Sequence, residues 1–202
     1  MKKRTMLYAL ILSAMMIFSA FAVGCNPNDT VNAAIDKTAT MLKTTNNYTI
    51  RLISDTDLIQ SDIEYKHDGI KIETVYENDV CYYYTEISEN GNIVYEIKKW
   101  GSKYFKDKAD EQTSKWILEF GTIYGDIISA LKSSQIKWEK GEEPNTFKYT
   151  LKDGFEAEVV VKIENGYITE IKTTQSVSSY TQSAIIKISN IGTTVVVLPD
   201  VA

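Results

Sequence analysis

Three residues of this chain are of the types that most often carry nucleophilic or metal chemistry: one histidine and two cysteines. His67 stands beside an Asp68-Gly69 turn, where we expect an exposed side chain. A catalytic triad or a histidine-containing metal site needs more than one such residue. Cys81 lies in a predicted strand with no helix N-terminus or obvious cation beside it, so we expect a small buried hydrophobe. The chain also has no glycine-rich phosphate loop, paired-cysteine zinc spacing or HExxH.

Carboxylates are the remaining candidates for chemistry, because a facing acid pair is enough for hydrolysis of glycosides. Glu142-Glu143 stands beside Pro144 in a predicted turn, and Asp62 and Glu64 alternate along a predicted strand. Both patterns are typical of water-facing positions. We therefore expect no catalytic residue, no metal site and no cofactor. A cell-envelope hydrolase that uses two facing carboxylates is kept as an alternative function.

Cys25 is a candidate for a different chemistry, covalent attachment of lipid. Lys2, Lys3 and Arg4 precede an uncharged apolar run at 6–23, and small residues at 22–24 then lead to the cysteine. A charged start, an apolar middle and a small-residue exit predict an export signal. An uncleaved transmembrane helix is the competing interpretation, because the run is about long enough to span a bilayer.

The segment Ala22-Val23-Gly24-Cys25 resembles the lipobox of bacterial lipoproteins, with Ala22 where the family usually has leucine. The resemblance implies a diacylglyceryl thioether on Cys25, cleavage before it, and further acylation, such as palmitate, of the new N-terminus. Two or more acyl chains give stable anchoring where one is marginal. We expect a signal peptide at 1–24, a lipidated tether at 25–30 and one domain at 31–202, held on the extracytoplasmic face of the cell membrane.

The charge of the chain limits its partners. Loss of Lys2, Lys3 and Arg4 takes the formal net charge from −5 to −8. An acidic domain without a basic stripe binds nucleic acid poorly and is not drawn to anionic lipid head groups. Attachment to a membrane must then come from a hydrophobic anchor, and no nucleic-acid partner is expected.

The rest of the chain is predicted to form strands and two helices. Apolar residues at helical spacing predict a helix over 29–44 and a central one over 116–131. Alternating segments around Asp68-Gly69, Asn90-Gly91, Asp153-Gly154 and Asn165-Gly166 predict tight antiparallel hairpins. The order gives an α+β fold, an antiparallel meander with one helical insertion and a closing strand at 194–198. Gly121 and Gly125 mark either a kink in the central helix or a close approach to a strand.

The element order and the closing segment from Ala184 to Pro199, AIIKISNIGTTVVVLP, are similar to the LolA-like superfamily of outer-membrane lipoprotein carriers and mycobacterial lipoprotein lipid carriers. The resemblance implies a curved antiparallel half-barrel whose concave face is covered by the N-terminal and central helices. It also implies binding of acyl chains or other hydrophobic ligands, with no catalytic residues.

Aromatic and aliphatic clusters would line such a cavity. The expected lining residues are Tyr82, Tyr84, Trp100, Trp116, Ile117, Phe120, Tyr124, Ile127 and Ile128. Ordinary core packing explains the same residues, since aromatic side chains dominate many cores. A hollow concave face would make the protein a binder of a hydrophobic ligand. A filled one would make it a surface module that contacts a protein partner.

Overall fold

The computed structural model describes residues 26–55, 60–133, 135–152, 156–177 and 180–201. The expected signal peptide and Cys25 lie outside the described residues. Within the described part of the chain, no helix is both long and apolar enough to cross a membrane.

A single curved, unclosed antiparallel sheet dominates the fold, which confirms the α+β prediction. The described residues form eleven strands in the order β6-β5-β4-β3-β2-β1-β11-β10-β9-β8-β7. Their bounds are β1 Asn47–Asp55, β2 Gln60–Asp68, β3 Lys71–Tyr76, β4 Asp79–Glu86, β5 Ile93–Trp100, β6 Lys103–Lys108, β7 Glu139–Lys140, β8 Thr146–Lys152, β9 Glu156–Glu164, β10 Tyr167–Val177 and β11 Tyr180–Ser189.

Turn residues place the hairpins at Asp68-Gly69 and Asn165-Gly166 where the sequence predicts them, whereas Asn90-Gly91 lies in a longer connection, residues 87–92, between β4 and β5. Asn165 and Gly166 both have positive φ, 53° and 77°, and join β9 to β10. This is the backbone of a type I′ turn, which matches the twist of the strands that it connects. Gly69, at a φ of 62°, turns the chain between β2 and β3 in the same left-handed region. Asp153-Gly154 lies outside the described residues.

Helix α1 runs from Pro27 to Thr44 and starts earlier than the sequence indicates. The Asn26 side chain caps it, accepting a hydrogen bond from the Asn28 N–H at 3.1 Å, and Pro27 pre-sets the first turn. The Asn28 Oδ1 accepts in turn from the Trp138 N–H at 2.9 Å. Residues 27–30, expected to form a tether, therefore belong to the helix.

Helix α2 runs from Glu111 to Ser129 without a break at either glycine. A Cβ on Gly121 would lie 2.3 Å from the Leu42 carbonyl oxygen, and one on Gly125 would lie 2.7 Å from the Lys43 Cγ. The two glycines therefore permit close packing against helix α1, and the strand residue that approaches Gly121 is Tyr48 of β1, through its side-chain hydroxyl and not its backbone. Asp110 caps α2, accepting from the Thr113 N–H at 2.7 Å.

The core lies between the two helices and the face of the sheet that they cover, which we call the concave face. Each strand sends alternate side chains to this face, among them Ile50 and Ile188 on neighbouring strands. An irregular register between Ile168 and Glu170 of β10 leaves the Ile168 N–H to donate to the Thr38 Oγ1 of α1 at 2.8 Å. The sheet and the first helix are thus joined by a buried hydrogen bond.

The end of the chain differs from the sequence prediction of a closing strand at 194–198. After β11 the chain crosses the opposite, convex face, where the Asn47 side chain bonds both the N–H and the C=O of Thr194, at 2.8 and 2.9 Å. Asp68 accepts from the Val196 N–H at 3.1 Å, and Val201 forms a parallel bridge with Tyr104. Hydrogen bonds to side chains of the sheet replace most of the strand ladder that is predicted for this segment.

Candidate functional site

An aromatic cluster fills the space between α2 and the sheet. Phe120 is fully buried at its centre. Its ring centroid lies 4.7 to 6.4 Å from those of five other rings, which belong to Tyr48, Tyr65, His67, Trp116 and Tyr124. Ring pairs at these distances and angles are favourable beyond the area that they bury. The part of the concave face beneath Phe120 is therefore packed and not hollow.

The predicted lining residues of α2 separate into two groups. Ile117, Phe120, Tyr124 and Ile128 are buried in the core cluster, and Trp116 packs against it half-buried. Ile127 is 44% exposed on the other side of the helix. The helical stripe expected from the sequence exists, but most of it contributes to the core.

The register of β4 corrects the predicted role of two tyrosines. Tyr83 pairs with Ile72 of the core and contacts Trp116 at 6.1 Å between ring centroids, so it faces α2. Tyr82 and Tyr84 therefore lie on the convex face, where Tyr82 contacts the Tyr104 ring at 6.1 Å. Neighbouring side chains of a strand point to opposite faces, and three consecutive tyrosines carry no signal of which face is which.

Trp100, another predicted lining residue, lies at the end of β5 with 83% of its surface exposed. It shares the concave face with Lys98 and, across the β5–β6 pair, with Phe105. It is separate from the aromatic cluster beneath α2.

A groove of about 220 Å³ lies beside α2, between the helix, the β2–β3 hairpin and the β4–β5 connection. Its floor contains His67, Ile72 and Ile117, all buried. Three exposed aliphatic side chains line it as well: Ile70, Ile87 and Leu118, which is 48% exposed. The other lining residues are Lys43, Asn46, Gly69, Thr85, Asn92, Gly121 and Thr122. Of the predicted cavity residues, the groove includes Ile117.

His67 is the residue whose position departs most from the sequence prediction. It is 7% exposed instead of standing free at a turn. Its ring contacts those of Tyr48 at 5.2 Å and Phe120 at 5.6 Å, both edge to face. The sequence contains one indication of this burial. His67 follows Ile63 and Tyr65 at alternate positions of β2, so the three side chains lie on the same face of the strand.

The imidazole of His67 is uncharged at neutral pH. Burial lowers its pKa to about 4, and the Gly69 backbone and the charge of Asp68 oppose this shift only in part. Its Nδ1 is buried and has no hydrogen-bond partner among the described residues.

The cation in the groove lining forms an exposed ion pair. The Lys43 ammonium, which lines the groove, pairs with the Asp126 carboxylate at 2.6 Å. The described part of the groove thus offers aliphatic surface, one neutral imidazole, a lysine that pairs with Asp126, and four uncharged polar side chains: Asn46, Thr85, Asn92 and Thr122.

Cys81 is half-buried in β4, and its Sγ lies 3.5 Å from Glu96 Oε1. Burial raises the pKa of the thiol to about 11. Because the thiolate is the nucleophilic form, this cysteine is poorly suited to covalent catalysis at neutral pH.

A second, larger depression lies on the convex face and has a different character. It measures about 670 Å³ and is lined by alternating cations and anions, among them Arg51, Glu64, Lys187 and Glu170. Ion pairs at such exposed positions contribute little to stability and do not form an apolar site.

Comparisons with known proteins identify no family. No family model matches the chain, and no curated protein matches it. Among solved structures, LprF from Mycobacterium bovis is similar at 8% identity with a TM-score of 0.49, over 88% of this chain and 100% of that chain. A redesigned beta barrel is similar at 9% identity with a TM-score of 0.19, over 74% and 93% of the two chains. Both TM-scores are below 0.5, so neither likeness carries a functional statement.

Proposed function

We propose that this protein is a non-catalytic lipoprotein, anchored through Cys25 to the extracytoplasmic face of the cell membrane, that binds a short aliphatic ligand in the groove beside α2. The observation that carries the binding proposal is the convergence of three exposed aliphatic side chains, Ile70, Ile87 and Leu118, on one groove whose floor includes the buried Ile72 and Ile117. They come from three separate elements of the fold.

Apolar burial supplies the driving force. Water contacts Ile87 over 71% of its surface and Leu118 over about half of its own. A ligand that covers this surface gains about 25 cal/mol for each Å² removed from water. Ordinary monomers scatter such residues singly, so their convergence on a concave site supports a binding role.

The size of the groove limits the ligand. Its volume of about 220 Å³ is below the range of about 300–1,000 Å³ that is typical of sites for drug-sized molecules. The aromatic cluster around Phe120 prevents a long chain from passing beneath α2 without repacking of the core. A short aliphatic chain, or the end of a longer one, is the ligand that fits.

Titration with 1-hexanol tests the proposal, with the methyl signals of Ile70, Ile72, Ile87 and Ile117 followed by NMR. We expect saturable shifts at these methyl groups. Leu118→Asp should weaken binding by about tenfold or more, since it replaces an apolar contact with a charge. Ile127→Asp is the matched control, because Ile127 is equally exposed on α2 but lies outside the groove lining.

The proposal predicts normal hexanol binding by Ile127→Asp. Equal losses in the two variants, or shifts in the wild type that do not saturate, would contradict a specific site at the groove.

A further inference from the structure

The β5–β6 hairpin, residues 93–108, has a charge opposite to that of the rest of the protein. It contains five lysines, and its only acids are Glu96 and Asp107, so its formal net charge is +3. The expected mature chain carries −8, which leaves −11 for the other residues. The fold places the hairpin at one end of the sheet, where β6 is the outermost strand. The net charge predicts no attraction to anionic head groups, but this corner of the molecule is an exception.

The lysines of the hairpin are accessible to an external anion, since all five are exposed: Lys98, Lys99, Lys103, Lys106 and Lys108. Lys98 pairs with Glu96 at 2.7 Å, and the Lys106 ammonium lies 3.9 Å from the centroid of the Tyr95 ring. The other three have no ion-pair partner among the described residues. Their charges are therefore available for a partner outside the chain.

Two exposed aromatic side chains lie among these lysines. Trp100, the last residue of β5, is 83% exposed, and Phe105, on the same face of the sheet, is 44% exposed. Trp100 pairs with Lys103 across the turn at 101–102. Tryptophan is enriched at membrane interfaces, where its ring lies at the level of the head groups, and lysine ammonium groups are attracted to anionic lipids. The combination fits a lipid surface of negative charge.

We infer that the tip of the β5–β6 hairpin docks on an anionic lipid membrane, with the Trp100 indole among the head groups and the neighbouring lysines against lipid phosphates. The contact is separate from the anchor at Cys25 and from the groove beside α2, so it goes beyond the proposed function. Each lysine near such a surface increases the partition coefficient about fivefold. The same surface repels the acidic remainder of the protein, which turns the hairpin toward the membrane.

Fluorescence quenching in vesicles tests the inference. The full-length chain is inserted into vesicles of phosphatidylcholine brominated near the head group, with or without phosphatidylglycerol as the anionic lipid. Of the three tryptophans, Trp100 is exposed, Trp116 is half-buried and Trp138 is buried. We expect quenching in the anionic vesicles that high salt relieves, because salt screens the attraction. Trp100→Phe should lose the quenched signal.

Two pairs of charge reversals identify the surface that docks. Lys99→Glu with Lys103→Glu should reduce the quenching at least fivefold. Lys140→Glu with Lys172→Glu is the matched control, because it changes the net charge equally at exposed positions of β7 and β10. This control should be quenched like the wild type. All four lysines are exposed, so we expect both variants to fold.

Equal quenching with and without phosphatidylglycerol, equal losses in the two lysine pairs, or no quenching at all would overturn the inference. A photocrosslinker at position 100 that attaches in intact cells to an acidic protein instead of lipid would also overturn it. Flotation of the chain with the vesicles measures membrane attachment by itself. A chain that floats without quenching would therefore contradict the docking hairpin and not the proposed anchor.

Discussion

His67 shows how one buried polar side chain connects packing with chemistry. The ring is part of the aromatic cluster, in contact with Tyr48 and Phe120, and it also forms part of the groove floor. Its uncharged state follows from burial, since the apolar surroundings penalise the imidazolium and lower its pKa to about 4.

We predict that His67 makes the fold sensitive to acid. The unfolded chain takes up a proton at this residue near pH 6.5, whereas the folded chain does so only near pH 4. The free energy of unfolding should therefore fall as the pH drops from about 6.5 to about 4, by about 3 kcal/mol from this residue. Urea unfolding of the wild type and of His67→Phe across this range measures it.

The comparison with His67→Phe is needed because carboxylates also titrate in this range. The stability of the wild type relative to the variant should decrease towards low pH. Parallel pH profiles of the two proteins would show that His67 is charged, or readily becomes charged, in the folded state.

At the scale of elements, the contact between α1 and α2 determines how the helices cover the sheet. Gly121 lies against the Leu42 backbone, with the Tyr48 hydroxyl 3.0 Å from the position of a Cβ. That hydroxyl donates to the same Leu42 carbonyl at 3.3 Å. A methyl group at Gly121 would therefore displace backbone, whereas one at Gly125 first meets the flexible Lys43 side chain.

We predict that Gly121→Ala destabilises the protein by about 1–3 kcal/mol through overpacking, although alanine favours an isolated helix by about 1 kcal/mol. Gly125→Ala should cost less, because the Lys43 side chain can move. Glu119→Ala, at an exposed position of α2, serves as the control and should change little. Thermal and urea unfolding rank the three variants, and a stabilised Gly121→Ala would show that the helices do not pack this closely.

At the scale of the whole molecule, the start of α1 determines how an anchored protein would sit on its membrane. Helix α1 begins at Pro27, two residues after Cys25, and its first turn is fixed to Trp138. A lipid on Cys25 would thus be joined to the folded domain with almost no linker. Consecutive Cα atoms are about 3.8 Å apart, so the first turn of α1 would lie close to the lipid head groups.

We predict that the mature protein partitions into the detergent phase of Triton X-114, and that its N-terminal peptide carries acyl chains at Cys25. Cys25→Ser should lack the acyl chains and keep its signal segment. Cys81→Ser is the control and should be lipidated normally, because Cys81 is part of strand β4. A wild-type protein that retains residues 1–24 and carries no acyl chain would instead support a transmembrane helix.

Local features of the sequence determined the elements of this protein. Asn165-Gly166 adopts a type I′ turn because few other residue pairs tolerate positive φ twice in succession. The stripe from Val31 to Leu42 forms a buried helix face because helical spacing is itself local. The antiparallel meander followed from short connections between alternating segments. These features rest on neighbours along the chain and could be predicted.

The tertiary structure alone decided which surfaces meet. The sequence does not indicate which face of the sheet each of the three consecutive tyrosines, 82–84, occupies. The pairing of Tyr83 with Ile72 on the neighbouring strand β3 places Tyr83 toward α2. The partner of Gly121 is Leu42, 79 positions earlier in the chain. His67 is buried because Phe120 from the other side of the core covers it. Packing joins residues that are far apart in sequence. A local pattern therefore predicts a helix or a strand more reliably than it predicts which other elements pack against that helix or strand.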